Sequence, residues 1–299
     1  MIELKGIGKK FEDVTALADV SGQIHEGNVF GLVGTNGAGK STCLRMVAGV
    51  LAPDTGEVLV DEKNVYQDPE IRREVFFIAD DPYYFPNATP RDMMKYYAIY
   101  YSCFDEERFH EMVKKFGLEE ERRIRTFSKG MKKQLAVILG ICANTKYLLC
   151  DETFDGLDPV MRQAVKSIFA AEMINRDFTP VIASHNLREL EDICDHVGLL
   201  HRGGMLLSRE VEELKSNLHR IQCAVDETQK ERLLAALQVV KMEQRGSLLT
   251  LTVRGEEQAV MECIHQVQPV FAELIPLTLE EIFVSETEVA GYDVKDLLF

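Results

Sequence analysis

Residues 34 to 41 read Gly34-Thr35-Asn36-Gly37-Ala38-Gly39-Lys40-Ser41. This matches G-x-x-x-x-G-K-[ST], the spacing that wraps backbone N–H groups around nucleotide phosphates. Both flanks fit the pattern. Val29-Phe30-Gly31-Leu32-Val33 reads as a buried strand, and Thr42-Cys43-Leu44-Arg45-Met46-Val47-Ala48 carries apolar residues at helical spacing. The glycines permit a tight loop and the helix N-terminus supplies partial positive charge. Lys40 is expected to reach the β and γ phosphates, and the Ser41 hydroxyl to ligate Mg²⁺. The nucleotide-binding set expected here is Gly34, Thr35, Asn36, Gly37, Ala38, Gly39, Lys40, Ser41 and Thr42.

The chain's 299 residues suffice for one large or two ordinary domains, and 46% hydrophobic composition supports a packed core. A net charge of −15 opposes unspecific attraction to a nucleic-acid backbone or an anionic lipid surface, so no nucleic-acid partner is expected. Cys43, Cys103, Cys142, Cys150, Cys194, Cys223 and Cys263 form no C-x-x-C pair, and several sit in apolar runs. They read as reduced thiols of a cytoplasmic protein. The N-terminus lacks a charged-then-apolar leader, and no window approaches the roughly 18 apolar residues of a membrane span. A role at a membrane therefore calls for a partner chain.

Residues 1–28 alternate apolar and polar side chains between turn signals, predicting an antiparallel strand layer before the phosphate loop. Residues 59–77 have strand character, residues 92–116 a helical pattern, and residues 134–143 an apolar helix. Lys146-Tyr147-Leu148-Leu149-Cys150 and Pro180-Val181-Ile182-Ala183-Ser184 are short apolar runs of the kind found in central parallel strands, joined by a crossover helix over 159–173. The charged segment 208–220 separates this α/β core from a tail with its own rhythm. Strand 219–225, helix 228–237, a hairpin of 239–244 and 248–253, helix 256–267 and strand 270–275 give the order β-α-β-β-α-β. That order predicts a small ferredoxin-like α+β unit, read as a stabilising or dimerising appendage without a catalytic motif.

Which residue holds the metal and which polarises water is answered by Leu148-Leu149-Cys150-Asp151-Glu152. An apolar strand ending in two carboxylates can set Asp151 near Mg²⁺ and point Glu152 at the γ-phosphate as general base. An isolated Asp-Glu pair is equally a strand end that caps a helix. Its surroundings add weight: Thr126-Phe127-Ser128-Lys129-Gly130-Met131-Lys132-Lys133-Gln134 lies upstream, Phe154-Asp155-Gly156-Leu157-Asp158 follows at once, and Ser184-His185 ends the next apolar run.

With these five motifs in order, the chain resembles the nucleotide-binding subunit of ATP-binding cassette (ABC) transporters over roughly residues 1–215. The resemblance implies a P-loop NTPase core with an antiparallel β subdomain and a helical subdomain at about 85–145, followed by an accessory α+β domain over 216–299. It implies ATP and Mg²⁺ as ligands, and a head-to-tail homodimer or heterodimer with a related subunit. In such a dimer the signature residues Ser128, Lys129 and Gly130 of one copy would face ATP on the other. A hydroxyl, a backbone N–H and a helix N-terminus all favour the γ-phosphate's charge. Ser128 reads equally as a helix N-cap, and the two roles are compatible. Asp158 matches the family's D-loop aspartate, and His185 the switch histidine that touches the γ-phosphate and holds Glu152 in a productive pose.

The signature departs from Leu-Ser-Gly-Gly-Gln, with Lys129 in place of the first Gly and Met131 in place of Gln. Lys129 adds a cation close to phosphate. Phe11 stands where the family places an aromatic that stacks on adenine; strand packing is the other reading of that ring. The family's glutamine loop should follow Val75-Phe76-Phe77-Ile78-Ala79, yet Asp80-Asp81 occupies the place. As a carboxylate, Asp80 can serve as a Mg²⁺ ligand, or Asp80 and Asp81 are solvated loop acids. Six of the nine tyrosines lie between Tyr83 and Tyr101, with Phe85, Met93 and Met94, where the family forms a groove for a short helix of the membrane subunit. Tyr96, Tyr97, Tyr100 and Tyr101 are expected on one helix face, serving that groove or the subdomain's own core.

The function these features imply is an ATP-hydrolysing subunit, peripheral on the cytoplasmic face of the membrane, that powers a separate integral membrane transporter subunit of the exporter or ABC-2 kind. The alternative is a soluble cassette ATPase without a membrane partner. It is disfavoured by the absence of a long heptad insertion and of a second cassette, and by the acidic net charge. The cargo is not legible, because specificity resides in membrane segments.

Overall fold

The computed structural model describes residues 1–289, which divide into two compact units, the first over Met1–Ser208 and the second starting at Arg209. The division falls seven residues before the one expected from sequence.

In the first unit, β1 (Ile2–Phe11) and β2 (Val14–Ile24) pair antiparallel, followed by β3 (Phe30–Val33), α1 (Lys40–Val47), β4 (Thr55–Val60) and the short β5 (Lys63–Asn64). After a 3-10 turn at Ile71–Glu74 come β6 (Val75–Ile78), α2 (Pro90–Tyr100), α3 (Glu106–Lys115) and α4 (Lys129–Cys142). Then follow β7 (Tyr147–Asp151), α5 (Pro159–Asn175), β8 (Thr179–Ser184), α6 (Leu187–Glu191), β9 (His196–His201) and β10 (Gly204–Glu210). One sheet has the order β2-β1-β4-β5 and is antiparallel; the second has the order β10-β9-β3-β8-β7-β6, with β3, β6, β7, β8 and β9 paired in parallel.

Every residue of β3, β7 and β8 is buried, as expected for central parallel strands covered on both faces. Their apolar side chains join those of α1 and the antiparallel sheet in one core that contains Ile7, Leu44, Met46, Val58, Leu149 and Val181. In parallel sheets ligands bind beyond the carboxyl ends of the strands. Here β3, β7 and β8 end at Val33, Asp151 and Ser184, which brings the phosphate loop, Glu152 and His185 together.

The helical stretch expected over 92–116 is two helices. Thr89 and Asp92 form a reciprocal capping box that starts α2 at Pro90. Tyr101 leaves helical geometry, its hydroxyl donates to the Val75 carbonyl, and Asp105 caps α3 by accepting from the Arg108 N–H. The next helix starts at Lys129 and not at residue 134, because the Ser128 hydroxyl caps it by accepting from the Met131 N–H at 3.2 Å.

The second unit contains α7 (Val211–Ser216), β11 (Leu218–Ala224), α8 (Glu227–Ala236), β12 (Gln238–Arg245), β13 (Leu248–Arg254), α9 (Glu257–Val267), β14 (Phe271–Ile275) and α10 (Leu279–Val289). Its antiparallel sheet has the order β12-β13-β11-β14, which gives β-α-β-β-α-β the ferredoxin-like arrangement. The two helices cover an independent core built from Ile221, Leu233, Leu251, Val253, Val260 and Ile264. No helix among the described residues is long and apolar enough to cross a membrane.

Candidate active site

The phosphate loop runs from the end of β3 into α1, and two glycines decide its shape. Gly39 precedes the helix at φ 107°, and an added Cβ would lie 2.5 Å from the Ala16 carbonyl oxygen. At Gly34 a Cβ would lie 2.4 Å from the Leu200 carbonyl oxygen. Only hydrogen fits at either position. Ala38 N–H donates to the Thr35 carbonyl at 3.1 Å and closes the loop, while Thr35, Asn36 and Gly37 stay exposed at its tip. Lys40 is buried, and its ammonium donates to the carbonyls of Gly34 at 2.7 Å and Thr35 at 3.2 Å. Thr42 lies half-buried one residue beyond Ser41.

Ser41 and Asp151 meet: the hydroxyl donates to Asp151 Oδ1 at 3.0 Å. Burial pushes the Asp151 carboxyl above the usual range; the Ser41 hydrogen bond opposes the shift, and the charge of Glu152 adds to it. The pair offers two hard oxygen donors on one side of the loop, in a spot where a buried carboxylate is short of positive charge.

Glu152 has a left-handed backbone, φ 47°, uncommon outside glycine. Its N–H donates to the Ala183 carbonyl at 2.9 Å, which ties it to β8. One carboxylate oxygen is 3.3 Å from Lys40 Nζ, and the other is 2.9 Å from His185 Nδ1. The ring of His185 is exposed, so one edge engages Glu152 while the rest faces solvent. The Lys40 ammonium, the Glu152 carboxylate and the His185 imidazole thus form one contiguous group.

A family model for ABC transporters matches residues 17–155. The uncharacterized ABC transporter ATP-binding protein YdbJ of Bacillus subtilis is 30% identical over 209 residues, covering 68% of this chain and 67% of that one. The chain is an ABC transporter ATP-binding protein. The similar protein YtrB of Bacillus subtilis is 28% identical over 286 residues, 96% of this chain and 98% of YtrB, so that likeness includes the second unit. A dimeric ATP-binding cassette in a post-hydrolysis state with ADP and Pi has the same fold, with TM-score 0.63, 22% identity, and coverage of 71% of this chain and 99% of that one.

As an ABC ATP-binding protein the chain binds and hydrolyses ATP, and its further motifs fall into distinct settings. Ser128 is the N-cap of α4, and Gly130 lies where a Cβ would come within 3.1 Å of the Gly156 carbonyl oxygen. Lys129 is exposed, with its ammonium 3.9 Å from Asp80. Asp158 caps α5 by accepting from the Met161 N–H at 2.9 Å. Phe11 is 45% exposed at the end of β1, with Lys9 over its ring. Asp80 does not sit as a free loop acid: Oδ1 accepts from Lys133 Nζ at 2.9 Å.

The tyrosines split in a way that the sequence reading missed. Successive helical residues point about 100° apart, so Tyr97 and Tyr101 turn inward onto Phe76, with ring centroids at 5.1 and 5.4 Å, while Tyr96 and Tyr100 are exposed. Tyr83, Phe85, Tyr96 and Met93 line an apolar cavity of about 350 Å³ beside β6.

Two residues of the site were missed. Asp155 brings a carboxylate oxygen to within 4.8 Å of ligand atoms of both Glu152 and His185, and its place directly between Glu152 and Asp158 was the available signal. Lys133 is fully buried and donates to the Glu152 main-chain carbonyl at 2.5 Å. In sequence it is one of three nearby lysines, and nothing local marks which of them turns inward.

Proposed function

We propose that this chain is the ATP-hydrolysing subunit of an exporter, sandwiching two ATP molecules between two copies, or between one copy and a related subunit, to drive a separate membrane-spanning partner. The observation that carries the reading is the Lys40–Glu152–His185 group at the strand ends, with Ser41 and Asp151 beside it. In this reaction Glu152 accepts a proton from water. The water oxygen forms a bond to the γ-phosphorus, and the bond from that phosphorus to the β–γ bridging oxygen breaks, leaving ADP and phosphate.

Lys40 exchanges the loop carbonyls that it now holds for phosphate oxygens, and His185 keeps the Glu152 carboxylate aimed at the water. Ser41 and Asp151 would hold Mg²⁺, and Asp80 has one oxygen beyond its Lys133 contact to offer. When bound, the ion would supply positive charge to the phosphate oxygens. Phe11 would stack on adenine, as its exposed ring allows. Ser128 and Gly130 act in trans, and Lys129 adds a cation at the same edge.

The chain would sit peripherally on the cytoplasmic face of the membrane through its partner, and an apolar docking surface supports the attachment. Exposed Tyr83, Phe85 and Tyr96 border an apolar groove suited to a short helix of the membrane subunit. Exporter direction rests on the resemblance to exporter-type and ABC-2 subunits in the motifs. The second unit, with its own core, supports a stabilising or dimerising role.

Co-expression with the product of the adjacent open reading frame tests the reading. A neighbour of about six spans should co-purify with the chain in detergent and raise its ATP turnover. Phe85→Asp should release it. A partner retained by Phe85→Asp would rule out this groove as the docking site, and no membrane partner at all would favour the soluble ATPase.

A further inference from the structure

Lys133 is an expensive residue for its place. It lies on α4, has no exposed surface, and ends in an ammonium whose named acceptors are Asp80 Oδ1 at 2.9 Å and the Glu152 main-chain carbonyl at 2.5 Å. Burying an ammonium costs several kcal/mol, and an apolar side chain of similar volume often serves stability as well or better. A fold-stabilising role alone does not account for the charge.

What the ammonium holds does. The left-handed backbone of Glu152 is strained by about 1–3 kcal/mol, and such strain persists only where the surroundings over-determine it. Three bonds do so: Glu152 N–H to the Ala183 carbonyl, and the Glu152 carbonyl accepting from the Asp155 N–H at 3.2 Å and from Lys133. With the backbone so fixed, the carboxylate meets both Lys40 and His185.

The other end of the link lies at the surface. Asp80 is half exposed and opens the segment after β6 that carries Tyr83 and Phe85 on the apolar groove. Two polar contacts therefore run from a groove-lining segment, through a fully buried lysine, to the backbone of the glutamate beside the phosphate loop.

We propose that Lys133 is a positioning residue that links Asp80 to the backbone of Glu152, so that displacement of the 79–85 segment changes the aim of the Glu152 carboxylate. The proposal rests on the reading of Glu152 as general base. Lys133 acts through Glu152, whose main-chain carbonyl its ammonium holds.

Steady-state ATP turnover of the full chain tests it. Lys133→Met should lower kcat about tenfold and leave KM for ATP within twofold. Asp80→Asn should lower kcat three- to fivefold, again at unchanged KM. The double variant should be no slower than Lys133→Met, because both act along one link. A wild-type kcat in Asp80→Asn, a raised KM at constant kcat, or losses that multiply in the double variant would overturn the proposal. If Lys133→Met fails to fold, Asp80→Asn at a half-exposed site decides by the same kcat and KM criteria measured at limiting and at excess Mg²⁺: a kcat restored by excess Mg²⁺ would overturn the link in favour of a lost metal ligand. Glu152→Gln separates the two readings. Full turnover there removes Glu152 as base, whereas lost turnover in Glu152→Gln beside a wild-type kcat in Asp80→Asn removes only the link.

Discussion

His185 Nδ1 lies 2.9 Å from Glu152 Oε2, and the same carboxylate reaches Lys40 through its other oxygen at 3.3 Å. The carboxylate is therefore held from two sides, by the ammonium of the loop lysine and by the imidazole. Glu152→Gln should lower kcat by about 10²–10⁴-fold while ATP binding persists. His185→Ala should cause a smaller loss, because the base survives without its support. Turnover of Glu152→Gln at the wild-type rate, measured by phosphate release, would contradict the assignment.

Gly39→Ala should abolish nucleotide binding. The residue sits at φ 107°, and its new methyl would meet the Ala16 carbonyl at 2.5 Å, so the loop must open to accommodate it. The backbone term alone is about 1–3 kcal/mol. Titration with a fluorescent ATP analogue reads the result, and affinity equal to the parent would show that the loop tolerates the change.

Dimer formation should need Ser128. With ATP and Mg²⁺, Glu152→Gln is expected to run as a dimer in size-exclusion chromatography with light scattering, and adding Ser128→Arg should return it to monomer. Loss of the α4 cap costs only about 1 kcal/mol, so the monomer stays folded. A persistent dimer in the double variant would rule out the trans contact.

Stability against acid should depend on Glu172. This carboxyl is nearly fully buried, and burial alone would raise its pKa, but hydrogen bonds from Arg108 and Arg176 outweigh burial and hold it below the usual range. A folded-state pKa that is depressed gives stability present in full above the unfolded value, about 4.3, and lost as pH falls below it. Glu172→Gln should therefore flatten the decline in unfolding free energy below about pH 4.3. Glu172→Ala, which strands two guanidinium groups, should cost about 3–5 kcal/mol at neutral pH. Urea titrations across pH measure both, and an unchanged acid limb in Glu172→Gln would refute the linkage.

The phosphate loop, Asp151-Glu152 and Ser184-His185 were legible because each is a short local pattern attached to the end of an apolar strand. The β-α-β-β-α-β order of the second unit was legible for a similar reason, since its turns punctuate strong periodicities. The break at residues 101–105 was not: it depends on Tyr101 reaching the Val75 carbonyl, a contact that joins residues 26 apart. Nor was the inward turn of Tyr97 and Tyr101 against the outward Tyr96 and Tyr100, which is set by the position of Phe76 beneath the helix.

By itself the sequence determined the chemistry available: a loop that can wrap phosphate, a pair of carboxylates, an imidazole and a capped signature helix. Local spacing encodes those, because glycine freedom and helix capping act within a few residues. The tertiary structure decided which groups meet. Parallel pairing of β3 with β8 and of β8 with β7 set three strand ends side by side, and the packing of α4 sent Lys133 inward to Asp80 and Glu152 while Lys129 stayed in solvent. A lysine's role follows from what its ammonium reaches, and that depends on distant segments that no local pattern records.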